Sequence, residues 1–149
     1  MAEAQIRPAT ADDQAVIRQW VRAEALDPTA LHWSQFLVAE LEGEIVGIGQ
    51  VRPHRRCREL GSLIVREDRR RRGIGAQIVE ALLATEQGEV YLECLDEMAS
   101  YYARFGFQPL PWWQAPAPLK LKAGLGNLFG RLFGYRVVTM RRPRPQADR

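Results

Sequence analysis

The stretch from Leu60 to Glu86 constrains the fold of this chain more than any other part of it. Leu60–Val65 is apolar enough for a strand, and beyond it lies the loop Arg69-Arg70-Arg71-Arg72-Gly73-Ile74-Gly75. A helix follows, with Ile74, Ile78, Val79, Leu82 and Leu83 recurring at helical spacing until Gln87-Gly88 stops it. A strand that turns through two glycines into a helix is an anion cradle. Glycine permits backbone angles and close approach that a side chain would block. The first helical turn holds amides with no intrahelical acceptor, and the helix dipole favours negative charge beside them. Flanking arginines add a planar fork of donors that suits phosphate.

Two familiar nucleotide-binding loops share this chemistry, and spacing excludes both. A P-loop closes with Gly-Lys-Ser/Thr, whereas Gly75 is followed by Ala76-Gln77. A dinucleotide-binding fingerprint needs a third glycine where Ile78 stands.

The remaining pattern predicts an α+β (mixed α/β) fold. Ala4–Arg7 reads as a short strand. A helix from Ala11 to about Ala25 opens on Thr10 and Asp13, spaced like a capping box, and Asp27-Pro28 ends it. Phe36–Leu41 and Ile45–Val51 form a hairpin around Glu42-Gly43-Glu44. Val90–Leu95 is a strand, Met98–Phe105 a short helix stopped by Gly106, and Phe107–Leu110 another strand. Prolines 109, 111, 116 and 118 punctuate a loop carrying Trp112 and Trp113. Leu119–Phe133 reads as an amphipathic helix, and Tyr135–Arg141 as the last strand. One central, mostly antiparallel sheet flanked by helices, with a helical insertion before the final strand, accommodates this order.

The 149 residues suit one domain, expected over 1–141, with a basic, disordered tail over 142–149. At 46% hydrophobic and 26% charged residues the chain is expected to fold. No run of eighteen apolar residues predicts a membrane span, and the start resembles no secretory signal, so a cytoplasmic protein is expected. Cys57 and Cys94 match no metal-ligand spacing, and no metal is expected. The net charge of +3 is concentrated in arginine clusters at 52–58, 69–72 and from Arg131 onward. No basic stripe interleaves with stacking aromatics, which argues against nucleic acid as partner.

Arg70-x-x-Gly73-x-Gly75, following a strand that ends in Val65, resembles the Arg/Gln-x-x-Gly-x-Gly/Ala signature of the GNAT superfamily of acetyl-CoA-dependent N-acetyltransferases. The resemblance implies that Leu63, Ile64 and Val65 line the pantetheine arm. It implies also that Arg70, Arg71, Arg72, Gly73, Ile74, Gly75 and Ala76 cradle the pyrophosphate of acetyl-CoA. Glu67 departs from the proline that many members carry there. A second match lies in Val90–Phe107, where Tyr102, four residues before Gly106, falls on the family's tyrosine. That residue's implied role is to protonate the departing thiolate. The family's asparagine is replaced by Leu95 or Asp96. Together the two matches cover about Glu59–Phe107, a third of the chain.

The resemblance further implies a catalytic glutamate, acting through water, at Glu59, six residues before Val65. A solvated Glu59 paired with Arg56 or Arg58 is the plainer alternative, and the other candidate bases, His32 and His54, read as surface or loop histidines because nothing in their spacing singles them out. The expected activity is transfer of an acetyl group to a primary amine by direct attack. A non-catalytic module that senses acyl-CoA is the alternative. Glu40, Glu42 and Glu44 would suit a cationic acceptor or solubility alone. The insertion Trp112–Gly134 fits a substrate lid, a homodimer contact, a membrane-surface element through 119–133, or a helix covering the sheet.

Overall fold

The computed structural model describes residues 2–146. The strands are β1 (Gln5–Pro8), β2 (Phe36–Leu41), β3 (Glu44–Pro53), β4 (Arg58–Val65), β5 (Val90–Leu95), β6 (Gln108–Leu110) and β7 (Val137–Arg142). The helices are α1 (Gln14–Ala23), α2 (Ile74–Ala84), α3 (Ala99–Ala103) and α4 (Ala117–Phe133). The hydrogen-bonded strand order is β1-β2-β3-β4-β5-β7-β6, with β4 and β5 parallel. The pairs β1–β2, β2–β3, β5–β7 and β6–β7 are antiparallel. This is the expected mixed α+β architecture, helical insertion included. The chain divides into two compact units, residues 1–52 with 60–85, and residues 53–59 with 86–149.

In the first unit, strand alternation sends side chains to two helices. Phe36, Val38, Ile48 and Ile64 pack with Ile17 and Val21 of α1, and burying each such side chain stabilises the unit by about 1.5–3 kcal/mol. The opposite face carries Gly47 and Gly49, whose missing side chains let α2 approach closely through Ile74, Ile78 and Leu82. The hairpin turn uses two left-handed residues, Glu42 (φ 53°) and Gly43 (φ 81°), matching the twist of the strands it joins. In the turn that leads into α1 the expected Thr10–Asp13 capping box forms, the Asp13 carboxylate accepting the Thr10 N–H at 2.8 Å, and that carboxylate also binds Arg7. The Arg7 guanidinium holds the Asp13 carboxyl below its ordinary range.

Gly49 yields a direct prediction. A Cβ there would lie 2.8 Å from the Ile78 Cγ2 methyl and 3.3 Å from both Leu63 and Leu82. Branched Ile78 cannot swing its Cγ2 aside without moving the helix, so Gly49→Val is expected to destabilise by about 2–3 kcal/mol. That corresponds to a fall in Tm of about 5–10 °C by thermal melt. An unchanged Tm would mean that α2 does not sit this close.

In the second unit β7 lies between β5 and β6, so the chain passes the middle position and returns to it after α4. Leu119 and Ala123 on the inner side of α4 are buried, Leu119 beside Cys57, Tyr91 and Ala115. The helix begins at Ala117, two residues before its expected start, with Pro118 in its first turn, where a missing N–H costs nothing. Gly134 ends it in the left-handed conformation (φ 79°). Strand β7 extends to Arg142, one residue into the segment expected as a tail, and the Arg142 Nε donates to the Phe105 carbonyl at 3.1 Å. Residues 143–146 carry no regular structure, and 147–149 lie outside the described residues.

Candidate active site

The cradle forms in the first unit where β4 hands over to α2. Within β4, Ile64 turns into the α1 core, while Leu63 and Val65 project from the other side of the strand. Only the backbone of Ile64 is therefore available to a ligand arm; the flanking residues offer side chain and backbone. The loop beyond is folded by two left-handed residues, Arg71 (φ 64°) and Gly73 (φ 80°). Left-handed residues set between ordinary ones make successive amides converge into a nest.

Helix α2 opens on Gly73 with no capping side chain, and a Cβ on Gly73 would meet nothing within 4 Å. The amides of Ile74, Gly75 and Ala76 belong to the first turn, where no intrahelical carbonyl and no capping side chain is available to them and the positive end of the dipole lies. That geometry fits a diphosphate. Arg71 and Arg72 are exposed beside it. Arg70 is exposed as well, and its Nε donates to the Val65 carbonyl at 2.9 Å, strapping the turn to the end of the strand, while its Nη2 lies 3.4 Å from Glu24.

One feature of β4 had not been expected. Ser62 adopts φ 52° in mid-strand, a conformation costing a non-glycine residue about 1–3 kcal/mol. A buried polar group supports it. Gln50 Nε2 donates to the Ser62 Oγ at 3.1 Å, and the Arg52 guanidinium reaches the same oxygen at 3.3 Å and Asp27 at 3.1 Å. Gln50 and Arg52 follow Ile48 at alternate positions of β3, and two polar groups on an otherwise apolar strand face were the legible signal.

The second unit carries the other candidates. Glu59 is only 2% exposed, so it is not the solvated glutamate of the plainer alternative. Its partners are neither Arg56 nor Arg58: Oε1 lies 3.1 Å from His54 Nε2, and Oε2 accepts from Lys122 Nζ at 3.0 Å. Arg58 instead makes a two-pronged bond to Glu86, both contacts 2.7 Å. Lys122 stands 63 positions along the chain from Glu59, and no local spacing announces the pair. His54 also lines a cleft of about 660 Å³ together with Arg55, Arg56, Cys57, Glu89 and Arg144. His32, the other imidazole considered, is exposed, and its Nδ1 accepts the Ser34 amide at 3.2 Å. It is a local cap.

Tyr102 sits on α3 with its ring edge-on to Tyr101 and Phe107. Burial, reinforced by the nearby Cys94 and Tyr101, pushes its phenol well above the ordinary tyrosine range. The hydroxyl makes no hydrogen bond to another described residue, so its proton is held firmly yet is not committed to a protein acceptor. Burial and Asp96 likewise push the Cys94 thiol up to about 11, leaving it a neutral neighbour. Among the described residues no three His, Cys, Asp or Glu side chains gather as metal ligands.

Three solved structures share this fold. N-acetylglutamate synthase from Neisseria gonorrhoeae, complexed with coenzyme A and N-acetyl-glutamate, is 17% identical over 98% of this chain, with a TM-score of 0.75. This chain spans 36% of that protein's length. Rv2747 from Mycobacterium tuberculosis, in complex with CoA, is 21% identical over 93% of this chain and 98% of its own, with a TM-score of 0.72. Ard1 from Thermoplasma volcanium is 18% identical over 96% of this chain and 99% of its own, with a TM-score of 0.66. No curated protein sequence matches the chain. The model of the acetyltransferase (GNAT) domain matches residues 32–109, from the turn before β2 into β6 and so across the glycine turn and the segment bearing Tyr102. More than half of the sequence follows that pattern, and the chain belongs to the GNAT acetyltransferase family.

Proposed function

We propose that this protein transfers the acetyl group of acetyl-CoA to a primary amine whose own side chain or carboxyl group is acidic. The observation that carries the reading is the uncapped start of α2 at Gly73, at the end of the turn that follows β4. In it the amides of residues 73–76 donate to the diphosphate, with Arg71 and Arg72 alongside, and the backbone of Leu63, Ile64 and Val65 pairs with the pantetheine arm. Structures of the Neisseria and Mycobacterium proteins with bound CoA support the choice of ligand.

The amine nitrogen attacks the thioester carbonyl; the C–N bond forms, the C–S bond breaks, and two protons move. Tyr102 gives its phenolic proton to the departing sulfur and regains one from water, a role suited to a group that stays protonated at neutral pH. The amine's proton passes to His54, which Glu59 orients, and then to water. Each Glu59 oxygen already has a partner and the side chain is buried, so a proton reaches it through His54. In this reading Tyr102 is the acid and Glu59 the group behind the base.

Support for an acidic acceptor comes from the cleft beside His54, where Arg55, Arg56 and Arg144 outnumber Glu89. Two of the glutamates suited to a cationic amine are engaged elsewhere, Glu40 with Arg7 at 2.7 Å and Glu44 with Arg66 at 2.9 Å. The test is thiol release from acetyl-CoA across acidic, neutral and basic amines. Turnover with acidic amines, lowered about tenfold or more in kcat/KM by Arg55→Ala with Arg56→Ala, is the expected result. CoA binding with no thiol release from any amine would instead favour a non-catalytic sensor.

A further inference from the structure

Helix α4 has two apolar sides, and only one is covered. Leu119, Ala123 and Gly130 are buried, whereas Leu121, Leu125, Leu128, Phe129, Leu132 and Phe133 are each 44–74% exposed. At 100° per residue these six fall within a sector about 140° wide, which near one border also holds Lys122, the partner of Glu59, and which lies away from the buried residues. Trp113, 58% exposed, and Trp112, which packs on Gly124, extend the same region. Nine of the twelve large hydrophobic side chains exposed among the described residues lie between Trp112 and Tyr135. Scattered single residues would need no explanation, but six large apolar side chains gathered on one helical face do.

Charge identifies what covers it. From Met98 to Gln146 the sequence contains no aspartate or glutamate, but it has eight lysines and arginines. Lys120 and Arg131 lie along one edge of the apolar sector. A second copy of this chain would set those cations against their own kind, with no carboxylate in the stretch to receive them. The complementary partner is apolar inside and negatively charged at its rim. We propose that α4 and the Trp112–Trp113 turn lie in the headgroup–acyl boundary of an anionic lipid bilayer, with Leu and Phe side chains inserted and Lys120 and Arg131 on the phosphates. Among the described residues no helix is long and apolar enough to cross a membrane, so the contact is peripheral. This inference is independent of the acyl-transfer reading.

The test is co-sedimentation of the full chain with vesicles of phosphatidylcholine alone or mixed with phosphatidylglycerol, with tryptophan emission as a second signal. Binding to the anionic vesicles with a blue shift is expected, weakened by salt and about tenfold or more weaker on neutral vesicles. Leu132→Glu with Phe133→Glu, both exposed and hence neutral to folding, should lower binding by a similar factor while leaving CoA affinity unchanged. Lys120→Glu with Arg131→Glu should remove the preference for anionic lipid. No binding to any vesicle would overturn the proposal, as would equal binding by the Leu132/Phe133 variant. A dimer in sedimentation equilibrium that this variant dissociates, without vesicle binding by the wild type, would assign the face to a second copy instead.

Discussion

Tyr102→Phe is expected to lower kcat for acetyl transfer by about two to three orders of magnitude while leaving the Kd for acetyl-CoA nearly unchanged. The variant removes one oxygen and keeps the ring that packs on Tyr101 and Phe107, so folding is preserved. What disappears is the proton donor to the departing sulfur, an interaction made only as the C–S bond breaks. The same residue sets an expectation for pH. Its phenol is held above the ordinary tyrosine value of about 10, so the donor stays protonated through that pH. The alkaline side of the kcat profile should accordingly remain flat to about pH 10. An alkaline decline near pH 8 that vanishes in Tyr102→Phe would show instead an easily ionised phenol. Equal kcat in variant and wild type would remove Tyr102 from the chemistry altogether.

Gly73→Val should raise the Kd for acetyl-CoA by about 10–100-fold, equivalent to about 1.4–2.8 kcal/mol. No neighbouring atom opposes the new side chain, because the space around Gly73 is empty. Its φ of 80° does, and forcing a β-branched residue into that region costs at least about 1–2 kcal/mol. The loop escapes by rotating residue 73, which turns the first amides of α2 away from the diphosphate. Stability should drop far less than affinity, since the turn is exposed and only its local geometry changes. Calorimetric titration alongside a thermal melt separates the two, and an unchanged affinity would place the diphosphate elsewhere.

Most elements were legible because local and global signals agreed. Glu42-Gly43 is a two-residue turn between alternating strands, and it forms the hairpin that such a pair specifies. The strand, glycine turn and helix of 60–84 occur where hydrophobic period and breakers placed them. The return of β7 to a position between β5 and β6 is different in kind. Nothing local distinguishes a strand that pairs beside its predecessor from one that skips a place and is joined later.

The surroundings of the candidate residues were less legible for the same reason. Glu59 is marked only by the family resemblance, and its bond to Lys122 depends on α4, which reaches it from far along the chain. Arg70, expected among the ligand contacts, bonds the Val65 carbonyl, because a guanidinium has donors enough to serve the backbone first. The left-handed Ser62 carries no mark in composition; only its partners Gln50 and Arg52, polar where the strand should be apolar, hint at it.

The outermost strands are brief and interrupted: β6 has three residues with Pro109 at its centre, and β1 has four and ends at Pro8. Proline offers no amide to an incoming chain, so neither border can be extended by several consecutive main-chain bonds. Fibre growth by edge-to-edge stacking is therefore blocked at both ends, and crowding of this protein at high concentration should leave its strands unpolymerised.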